Sequence, residues 1–367
     1  MLILVQGQLG DCWFLSALAV LGAHENLLKS CFWKGDKGGE IIFREYGMYV
    51  LRFFKDCNVI VVVVDDRIPV KAKDKRVIFA YSKDCDELWV PIIEKAYAKL
   101  HGSYKALIGG YTHFGLADMT GYCPRLIVLK EGFTGYSEEY DDQELWNMLV
   151  TYRKWGTLMG CSIQPNPKEK SKPEADAGNG LYLGHAYSLL DLGEIEVKEK
   201  KKVKLLKIRN PWGRGEWEGP YGDDSEERKQ DIVNQQIKKV FFTDRLEEAK
   251  RKKLDFNEHD GEEVDTNDGT FFISFEDWRK RFTSLFLAMK FPDGSDPNEK
   301  AWFGKRYQGF WTAENGGNRE MGTWLSNPKI ELKFNCNKEE KKKYRQIFVG
   351  IYCKDSRLTL GGDYYKV

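Results

Sequence analysis

Two residues whose types together support thiol chemistry stand near the start of the chain, Gln6 and Cys12. Between them lie two glycines and Asp11, and an apolar run follows the cysteine, which predicts a tight loop and then a buried helix. A thiol on the first turn of that helix faces the positive end of the helix dipole, which favours the thiolate. The amide of Gln6 could donate to an oxyanion beside the sulfur. The alternative is a structural cysteine in a buried helix, and this stretch alone leaves both interpretations open.

A histidine and an asparagine on two later predicted strands supply what a reactive thiol needs. His185 starts one run of strand-forming residues, and Asn210 directly follows the next such run. If these strands are neighbours, Asn210 can hold the imidazole in the orientation that accepts a proton from the thiol. Trp212, two residues further on, can shield that hydrogen bond from water. The combination predicts a nucleophile, a base and an orienting residue in Cys12, His185 and Asn210.

The periodicity of the chain predicts an α+β fold that carries these residues. Helical patterns run over Cys12 to Leu28, Glu87 to Leu100 and Asp141 to Trp155. Strand patterns run over residues 49–54, 59–64, 157–163, 184–190 and 205–209. The segment 164–180 is rich in proline, lysine and glycine, so we expect an exposed loop that gates the histidine-bearing strand.

Composition excludes several classes of protein. The 57 basic and 56 acidic side chains nearly cancel, so no overall field favours nucleic acid or an anionic membrane. The eight cysteines include no CxxC pair, which argues against a zinc ribbon or a thioredoxin-type site and favours reduced thiols. No apolar run is long enough to span a bilayer, and the opening residues are too few for a signal peptide. We therefore expect a cytoplasmic protein without stable membrane insertion.

Six blocks of the sequence resemble the protease core of the calpains. The catalytic blocks of that family are similar to QGQLGDCWFLSAL, GHAYSLLDL and IRNPWGRGEW, in this order. Its intervening and final blocks are similar to VVDDRIPV, ELWVPIIEKAYAKLHGSY and DGTFFISFEDWRKRF. The likeness extends over residues 6 to 290 and rests on specific motifs.

The resemblance implies a papain-like, calcium-activated cysteine endopeptidase that acts on proteins within the cell. It makes Cys12 the nucleophile, His185 the general base and acid, and Asn210 the residue that orients the imidazole. It likewise makes Gln6 the donor to the oxyanion, and it places Trp212 beside the triad in the substrate-binding cleft. All five match the residue types of the family, so the resemblance implies an active enzyme with protein substrates.

The resemblance also implies a division of the chain. Residues 1–121 would form the first subdomain of the protease core, and residues 122–290 the second, with the active-site cleft between them. Residues 291–299 would be a linker, and residues 300–367 the start of an all-β, C2-like sandwich. Such a sandwich needs on the order of a hundred residues, so we expect this one to be incomplete. We expect no penta-EF-hand domain that could recruit a small subunit.

One calcium site of the family maps onto oxygen-bearing residues that follow the catalytic asparagine. The resemblance implies side-chain ligands from Glu216, Asp223 and Asp268, and backbone carbonyl ligands from Thr266 and Thr270. Hard oxygen ligands of this kind suit Ca²⁺. The alternative is a polar loop with solvated acids. An EF-hand in the same stretch is excluded, because Gly269 comes one residue early and a hydrophobic strand follows.

A second family calcium site matches only in part. Glu87 corresponds to one carboxylate ligand, whereas the aspartate expected before the catalytic cysteine corresponds to Ile3. The remaining backbone ligands would precede Met1. We therefore expect either that this site is absent or that the start of the chain is truncated.

Two other functions remain open at this stage. A transglutaminase-like acyltransferase also uses a Cys-His framework, but Asn210 followed by Pro-Trp-Gly argues against it. A catalytically silent, calcium-dependent binding or regulatory module is the other alternative, and the complete set of catalytic residue types argues against that.

Overall fold

A computed structural model describes most of the chain as far as Ser295, and all structural statements below concern the residues that it describes. These are residues 4–34, 43–56, 58–84, 86–131, 133, 140–166, 174–198, 201–242, 268–295, 301–304 and 349. The predicted sandwich domain over 300–367 therefore falls almost entirely outside the described residues, and it stays a prediction.

Seven α-helices lie in the described part of the chain. They are α1 Cys12–Gly22, α2 Glu25–Ser30, α3 Trp89–Leu100, α4 Thr112–Thr120, α5 Asp142–Trp155, α6 Asp231–Phe241 and α7 Phe275–Arg281. Two short 3-10 helices cover Arg44–Tyr46 and Tyr104–Leu107.

Twelve β-strands accompany them in the same residues. They are β1 Leu4–Val5, β2 Met48–Lys55, β3 Asn58–Asp65, β4 Tyr81–Ser82, β5 Cys123–Val128, β6 Leu158–Ile163, β7 Asp176–Gly178, β8 Leu181–Tyr182, β9 His185–Glu196, β10 Lys202–Arg209, β11 Thr270–Ser274 and β12 Ser284–Met289. The mixture of helices and strands agrees with the expected α+β class.

The largest sheet has six antiparallel strands in the order β11-β10-β9-β6-β12-β5. Its strands β6, β11 and β12 are buried along their whole length, as their near-continuous apolar sequences require. Strands β9 and β10 form a hairpin, so the first residue of β9 and the residue after β10 lie at the same edge of the sheet. This edge positions two of the predicted catalytic residues.

Helix α1 belongs to a hydrophobic core that is built mainly from residues before the six-stranded sheet in the sequence. Every residue from Trp13 to Leu21 is buried, so the helix is apolar on all sides rather than along one stripe. It packs against β9, β6 and α4, and the hydroxyl of Ser188 on β9 donates to the carbonyl of Ser16 at 2.8 Å. The start of the helix is thereby fixed beside the start of β9.

The helix predicted from Cys12 to Leu28 is in fact two helices. The apolar run ends at Leu21, and His24 has an extended backbone (φ −121°, ψ 85°) that interrupts the helix before α2 begins. Strands β9 and β10 are longer than predicted, because their polar, charged outer halves still pair with each other. The central strand patterns were otherwise predicted within a few residues.

The described residues as far as Lys290 belong to one compact unit, and residues from Phe291 to Ile351 belong to a second. The predicted division of the protease core at residue 121 is not tested by this partition and stays a prediction. None of the described helices is long and apolar enough to cross a membrane.

Candidate active site

His185 and Asn210 meet at the edge of the sheet where the β9–β10 hairpin opens. The Nε2 atom of His185 lies 2.8 Å from Oδ1 of Asn210, and both residues are almost completely buried. This pairing is the one expected from the sequence.

Further hydrogen bonds fix the amide of Asn210. Its Nδ2 donates to the carbonyl of Gly215 at 3.0 Å, and its Oδ1 accepts from the backbone amide of Trp212 at 3.0 Å. Because a carbonyl oxygen only accepts, Nδ2 and Oδ1 cannot be exchanged, and Oδ1 must face the histidine. The imidazole therefore carries its proton on Nε2 when it is neutral, which leaves the lone pair on Nδ1.

Two aromatic side chains surround this pair. The ring of Trp212 lies 4.4 Å from that of His185, centroid to centroid, and 4.5 Å from the ring of Tyr182. Since both rings stand beside the imidazole, they limit water access to the histidine–asparagine hydrogen bond. This placement is consistent with the shielding expected of Trp212.

Cys12 is the first residue of α1 and faces the histidine. One ligand atom each of Cys12, His185 and Glu174 lies within 4.8 Å of the others. The Nδ1 atom of His185 is buried and makes no hydrogen bond. The thiol and the imidazole are therefore neighbours, but they are not hydrogen-bonded to each other.

Burial opposes the ionised form of both groups. It raises the pKa of Cys12 to about 11, and the negative charges of Glu174 and Asp11 add to this, whereas the Ala186 and Trp13 amides favour the thiolate. Burial lowers the pKa of His185 to about 4, although the hydrogen bond with Asn210 partly offsets it. Both directions favour a neutral thiol and a neutral imidazole in this conformation. Desolvation thus opposes the thiolate that the helix dipole favours, and the ionisation state of the pair stays a prediction.

Gln6 lies in the loop that leads into α1. Its Nε2 donates to the carbonyl of Leu9 at 2.7 Å, while its Oε1 is buried without a hydrogen-bond partner. Its backbone amide donates to the carbonyl of Pro211 at 3.1 Å, which ties the loop to the residue after Asn210. One N–H of the side-chain amide therefore donates within its own loop, which leaves the second N–H of the same nitrogen for another acceptor.

A close backbone approach explains the glycine that follows Gln6. A Cβ at Gly7 would stand 2.3 Å from the carbonyl oxygen of Phe79, so no other residue fits without a shift of the backbone. The next amide, that of Gln8, donates to the carbonyl of Ile78 at 2.9 Å. Both contacts hold the loop beside the site.

An open cavity of about 720 Å³ lies next to the site. Its lining includes the loop before α1 together with Glu174, Trp212 and Arg214. This volume falls within the range of ordinary ligand pockets. Two of the predicted site residues, Gln6 and Trp212, line it.

A pair of carboxyl groups is buried behind the nucleophile. Asp11 and Glu94 are both completely buried, and Oε2 of Glu94 accepts from the amide of Ala80 at 3.0 Å. Burial raises the pKa of Asp11 to about 7. Burial and the charge of Asp11 hold the pKa of Glu94 well above its ordinary value. The pair therefore retains a proton at neutral pH, and the sequence analysis did not anticipate it.

The three carboxylates predicted to bind calcium interact with one another. Burial raises the pKa of Glu216 to about 8, with the charges of Asp223 and Asp268 adding to it. Burial also raises the pKa of Asp223 to about 6, against the opposing effect of Arg228. One carboxylate oxygen of Asp223 and one of Asp268 are buried without a hydrogen-bond partner. We call these three residues the acidic cluster.

The other predicted calcium ligands fare differently. Thr266 lies outside the described residues, whereas Thr270 is the first residue of β11 and its amide donates to Asp268 at 2.6 Å. Glu87 accepts a hydrogen bond of 2.8 Å from the hydroxyl of Ser82. Ile3 also lies outside the described residues. The second calcium site thus stays a prediction.

Sequence reasoning missed Glu174. Its carboxylate lies 4.0 Å from Nδ1 of His185, and its side chain is 42% exposed. The residue falls in the segment 164–180, which was expected to be an exposed gating loop, and residues 167–173 of that segment lie outside the described part. The signal available was a carboxylate in a loop that leads directly into the histidine-bearing strand.

Comparison with known proteins gives a family. A sequence profile described as calpain family cysteine protease matches residues 2–289. Calpain-9 of Rattus norvegicus is 31% identical over 331 residues, which cover 89% of this chain and 42% of the relative. The Calpain-1 catalytic subunit of the same species is 32% identical over 338 residues, covering 89% of this chain and 41% of the relative.

A more distant organism gives the same result. Calpain-A of Drosophila melanogaster is 32% identical over 341 residues, covering 88% of this chain and 36% of the relative. The chain thus spans about two fifths of the length of the curated relatives that it matches. The fold agrees with a calpain protease core, and the comparisons do not favour an acyltransferase or a silent binding module. The chain belongs to the calpain family of cysteine proteases.

Proposed function

We propose that this protein is a calcium-dependent cysteine endopeptidase that carries out limited proteolysis of cytoplasmic proteins. One observation carries the proposal. The amide oxygen of Asn210 lies 2.8 Å from Nε2 of His185, and Nδ1 of the same ring has no hydrogen-bond partner. A nitrogen of this ring lies within 4.8 Å of the sulfur of Cys12. This arrangement supplies a nucleophile, a base and an orienting group in one place.

The chemistry follows from the lone pair on Nδ1. His185 accepts the proton of Cys12, and the sulfur then attacks the carbonyl carbon of a peptide bond. His185 returns the proton to the leaving amine, which departs and leaves a thioester on Cys12. A water molecule, deprotonated by the same imidazole, hydrolyses the thioester and restores the thiol. Asn210 keeps the imidazole oriented throughout.

Two donors would stabilise the negative oxygen that forms on the substrate. The backbone amide of Cys12 is on the first turn of α1, where helix amides lack intrahelical partners. The amide of Gln6 would be the second donor, through the N–H that its bond to Leu9 leaves unused.

The acidic cluster fits a calcium ion by its chemistry. It combines three carboxylates, and Asp223 and Asp268 each have a buried oxygen without a hydrogen-bond partner. Glu216, Asp223 and Asp268 would hold the ion, and Ca²⁺ prefers oxygen ligands of this type. When bound, the ion supplies positive charge that compensates the mutual repulsion of the carboxylates.

The acidic cluster contacts the backbone that carries the orienting residue. The amide of Gly269 donates to Glu216, and the carbonyl of Gly269 accepts from the amide of Asn210, both at 2.7 Å. Arg209, the residue before Asn210, interacts electrostatically with Asp268. A change of charge in the acidic cluster is thus felt within one residue of the catalytic asparagine, which supports a regulatory role for this position.

Casein cleavage by the full chain tests the proposal. We expect calcium-dependent cleavage that the Cys12→Ala variant lacks, together with labelling of Cys12 by an epoxide thiol probe. Cys123→Ala is the matched control, because Cys123 is another half-buried cysteine. Undiminished turnover by Cys12→Ala would refute the catalytic assignment. Full activity in EGTA would refute calcium dependence and leave the peptidase assignment intact.

A further inference from the structure

A third side chain joins the catalytic pair and changes what the site can bind. In the described part of the chain, Cys12, Glu174 and His185 bring a sulfur, a carboxylate oxygen and a ring nitrogen within 4.8 Å of one another. The Nδ1 atom of His185 is buried, has no hydrogen-bond partner and lies 4.0 Å from Oε1 of Glu174. We propose that these three residues form an inhibitory binding site for a Zn²⁺-type transition-metal ion.

The state of the imidazole favours a metal at Nδ1. The amide of Asn210 is fixed by its bonds to Gly215 and Trp212, so its Oδ1 accepts from Nε2 of His185. The proton therefore sits on Nε2, and Nδ1 presents a lone pair. A metal-bound histidine usually donates its second ring nitrogen to an oxygen acceptor in the same way.

The ligand types select the metal. A thiolate, an imidazole and a carboxylate suit Zn²⁺, whereas Ca²⁺ takes six to eight oxygen ligands. At ordinary zinc bond lengths the three ligand atoms would stand roughly 3.3–3.7 Å apart. The 4.0 Å between His185 and Glu174 is slightly longer than this, and the sulfur of Cys12, which lies within 4.8 Å of both, would have to approach them as the ion binds. The Glu174 side chain is 42% exposed, so it can move toward the imidazole without disturbing core packing.

The proposed site adjoins a cavity. Glu174 and Trp212 line this cavity of about 720 Å³, so the carboxylate ligand opens to solvent and has room beside it for a water molecule as the fourth ligand. The thiol proton of Cys12 leaves to solvent when the ion binds, because the thiolate is the ligand. A site with three protein ligands and a water molecule in the fourth position has the coordination of catalytic, solvent-accessible zinc sites.

Inhibition follows from the atoms that the ion would occupy. The sulfur of Cys12 would lose its free nucleophilic pair, and Nδ1 of His185 could no longer accept a proton. This consequence rests on the proposed peptidase function, whereas binding of the ion does not. The acidic cluster offers only oxygen ligands, which favour Ca²⁺, whereas the sulfur and nitrogen ligands of Cys12 and His185 favour Zn²⁺. The two proposed ions would therefore bind at different sites.

Titration of the full chain with Co²⁺, a spectroscopic substitute for Zn²⁺, tests the site without an activity assay. We expect one equivalent to produce a thiolate-to-cobalt absorption band in the near ultraviolet and tetrahedral bands in the visible. Cys12→Ser should lose the near-ultraviolet band, and Glu174→Gln should weaken binding about 10- to 100-fold. Glu218→Gln is the matched control, since Glu218 is an exposed acid outside the cluster, and it should bind Co²⁺ as the unmodified chain does.

Protection of the sulfur provides a second readout if a variant folds poorly. Zn²⁺ should slow alkylation of Cys12 by iodoacetamide, measured on the Cys12 peptide by mass spectrometry, and Glu174→Gln should require about 10- to 100-fold more Zn²⁺ for equal protection. An unchanged cobalt spectrum in Cys12→Ser, or equal protection in Glu174→Gln, would overturn the proposal. Cobalt binding without casein cleavage would refute the proposed function and keep the metal site. Casein cleavage without cobalt binding would refute the metal site and keep the proposed function.

Discussion

The two halves of the candidate active site differ in how completely they are arranged. On the sheet, His185 is held by Asn210 at 2.8 Å, and Asn210 is held in turn by Gly215 and Trp212. On the helix side, the sulfur of Cys12 makes no hydrogen bond with the imidazole, and one N–H of the Gln6 amide donates to Leu9. The base is positioned for catalysis, and the nucleophile is not.

Electrostatics separates the halves in the same way. The hydrogen bond with Asn210 works in favour of a charged imidazole, against burial. Around the sulfur, burial, Glu174 and Asp11 oppose a negative charge, and the Ala186 and Trp13 amides offset them in part. We infer that the sheet sets the base in advance, whereas activation would act on the helix side by lowering the pKa of Cys12. The predictions below test this asymmetry, from the largest expected effect to the smallest.

Loss of the base should have the largest effect. His185→Ala removes the imidazole that lies beside Cys12 and whose Nδ1 can take its proton, so we expect kcat for casein peptides to fall by about 10²- to 10⁴-fold. His24→Ala serves as control, because His24 is exposed at the start of α2. Equal losses in the two variants would mean that the sheet half contributes no specific catalysis.

Gln6→Ala should test the oxyanion contact on the helix side. If the second N–H of Gln6 donates to the oxyanion, its loss should lower kcat by about 10²- to 10³-fold with little change in KM. Gln8→Ala in the same loop should have a much smaller effect, since that side chain is exposed. Normal kcat in Gln6→Ala would show that Gln6 does not stabilise the oxyanion.

Asn210→Ala should loosen the histidine–asparagine half of the site without removing the base. The variant loses the bonds to His185 and Gly215, each worth roughly 1 kcal/mol, so we expect kcat to fall about 10- to 100-fold. The acidic limb of the pH–rate profile should also move, because this bond favours the charged imidazole. An unshifted profile would show that Asn210 has only a structural role.

Glu94→Gln should have the smallest effect, and on stability rather than on rate. Burial and Asp11 hold the pKa of Glu94 above its ordinary value of 4.5, so the native state keeps a proton that the unfolded chain releases above that pH. The free energy of unfolding should therefore decrease as pH rises above 4.5, by up to about 1.4 kcal/mol per pH unit for one proton.

The glutamine variant cannot ionise at position 94 and should show a shallower decrease in urea titrations between pH 5 and about 7. Glu196→Gln, an exposed acid at the end of β9, is the control. Identical slopes in Glu94→Gln and the unmodified chain would show that the buried pair holds no extra proton.

Much of the histidine–asparagine half of the site could be predicted from the sequence. The strand patterns around His185 and before Asn210 follow local propensity, and a hairpin brings such residues together. The start of α1 at Cys12 was equally evident from two glycines, an acid and an apolar run. The break between α1 and α2 was missed although Gly22 is a poor helix former, because helix-forming residues resume at Glu25 after the break at His24.

The charge state of the nucleophile could not be predicted in this way. Local reasoning saw the helix dipole, but the pKa of Cys12 depends on burial and on Glu174, which is 162 residues away in the sequence. The pair of Asp11 and Glu94 is likewise made by distant segments that meet in the core. Such long-range desolvation depends on tertiary packing, which no local pattern of residues encodes.

The rate of Cys12 alkylation by iodoacetamide as a function of pH, with and without Ca²⁺, tests the central claim most directly. The account predicts that without calcium the rate keeps rising toward a pKa of about 11, and that calcium moves the whole profile to lower pH. The Cys12 peptide must be followed by mass spectrometry, since other cysteines also react. A plateau near neutral pH without calcium, or identical profiles in both conditions, would contradict the claim that activation acts on the nucleophile.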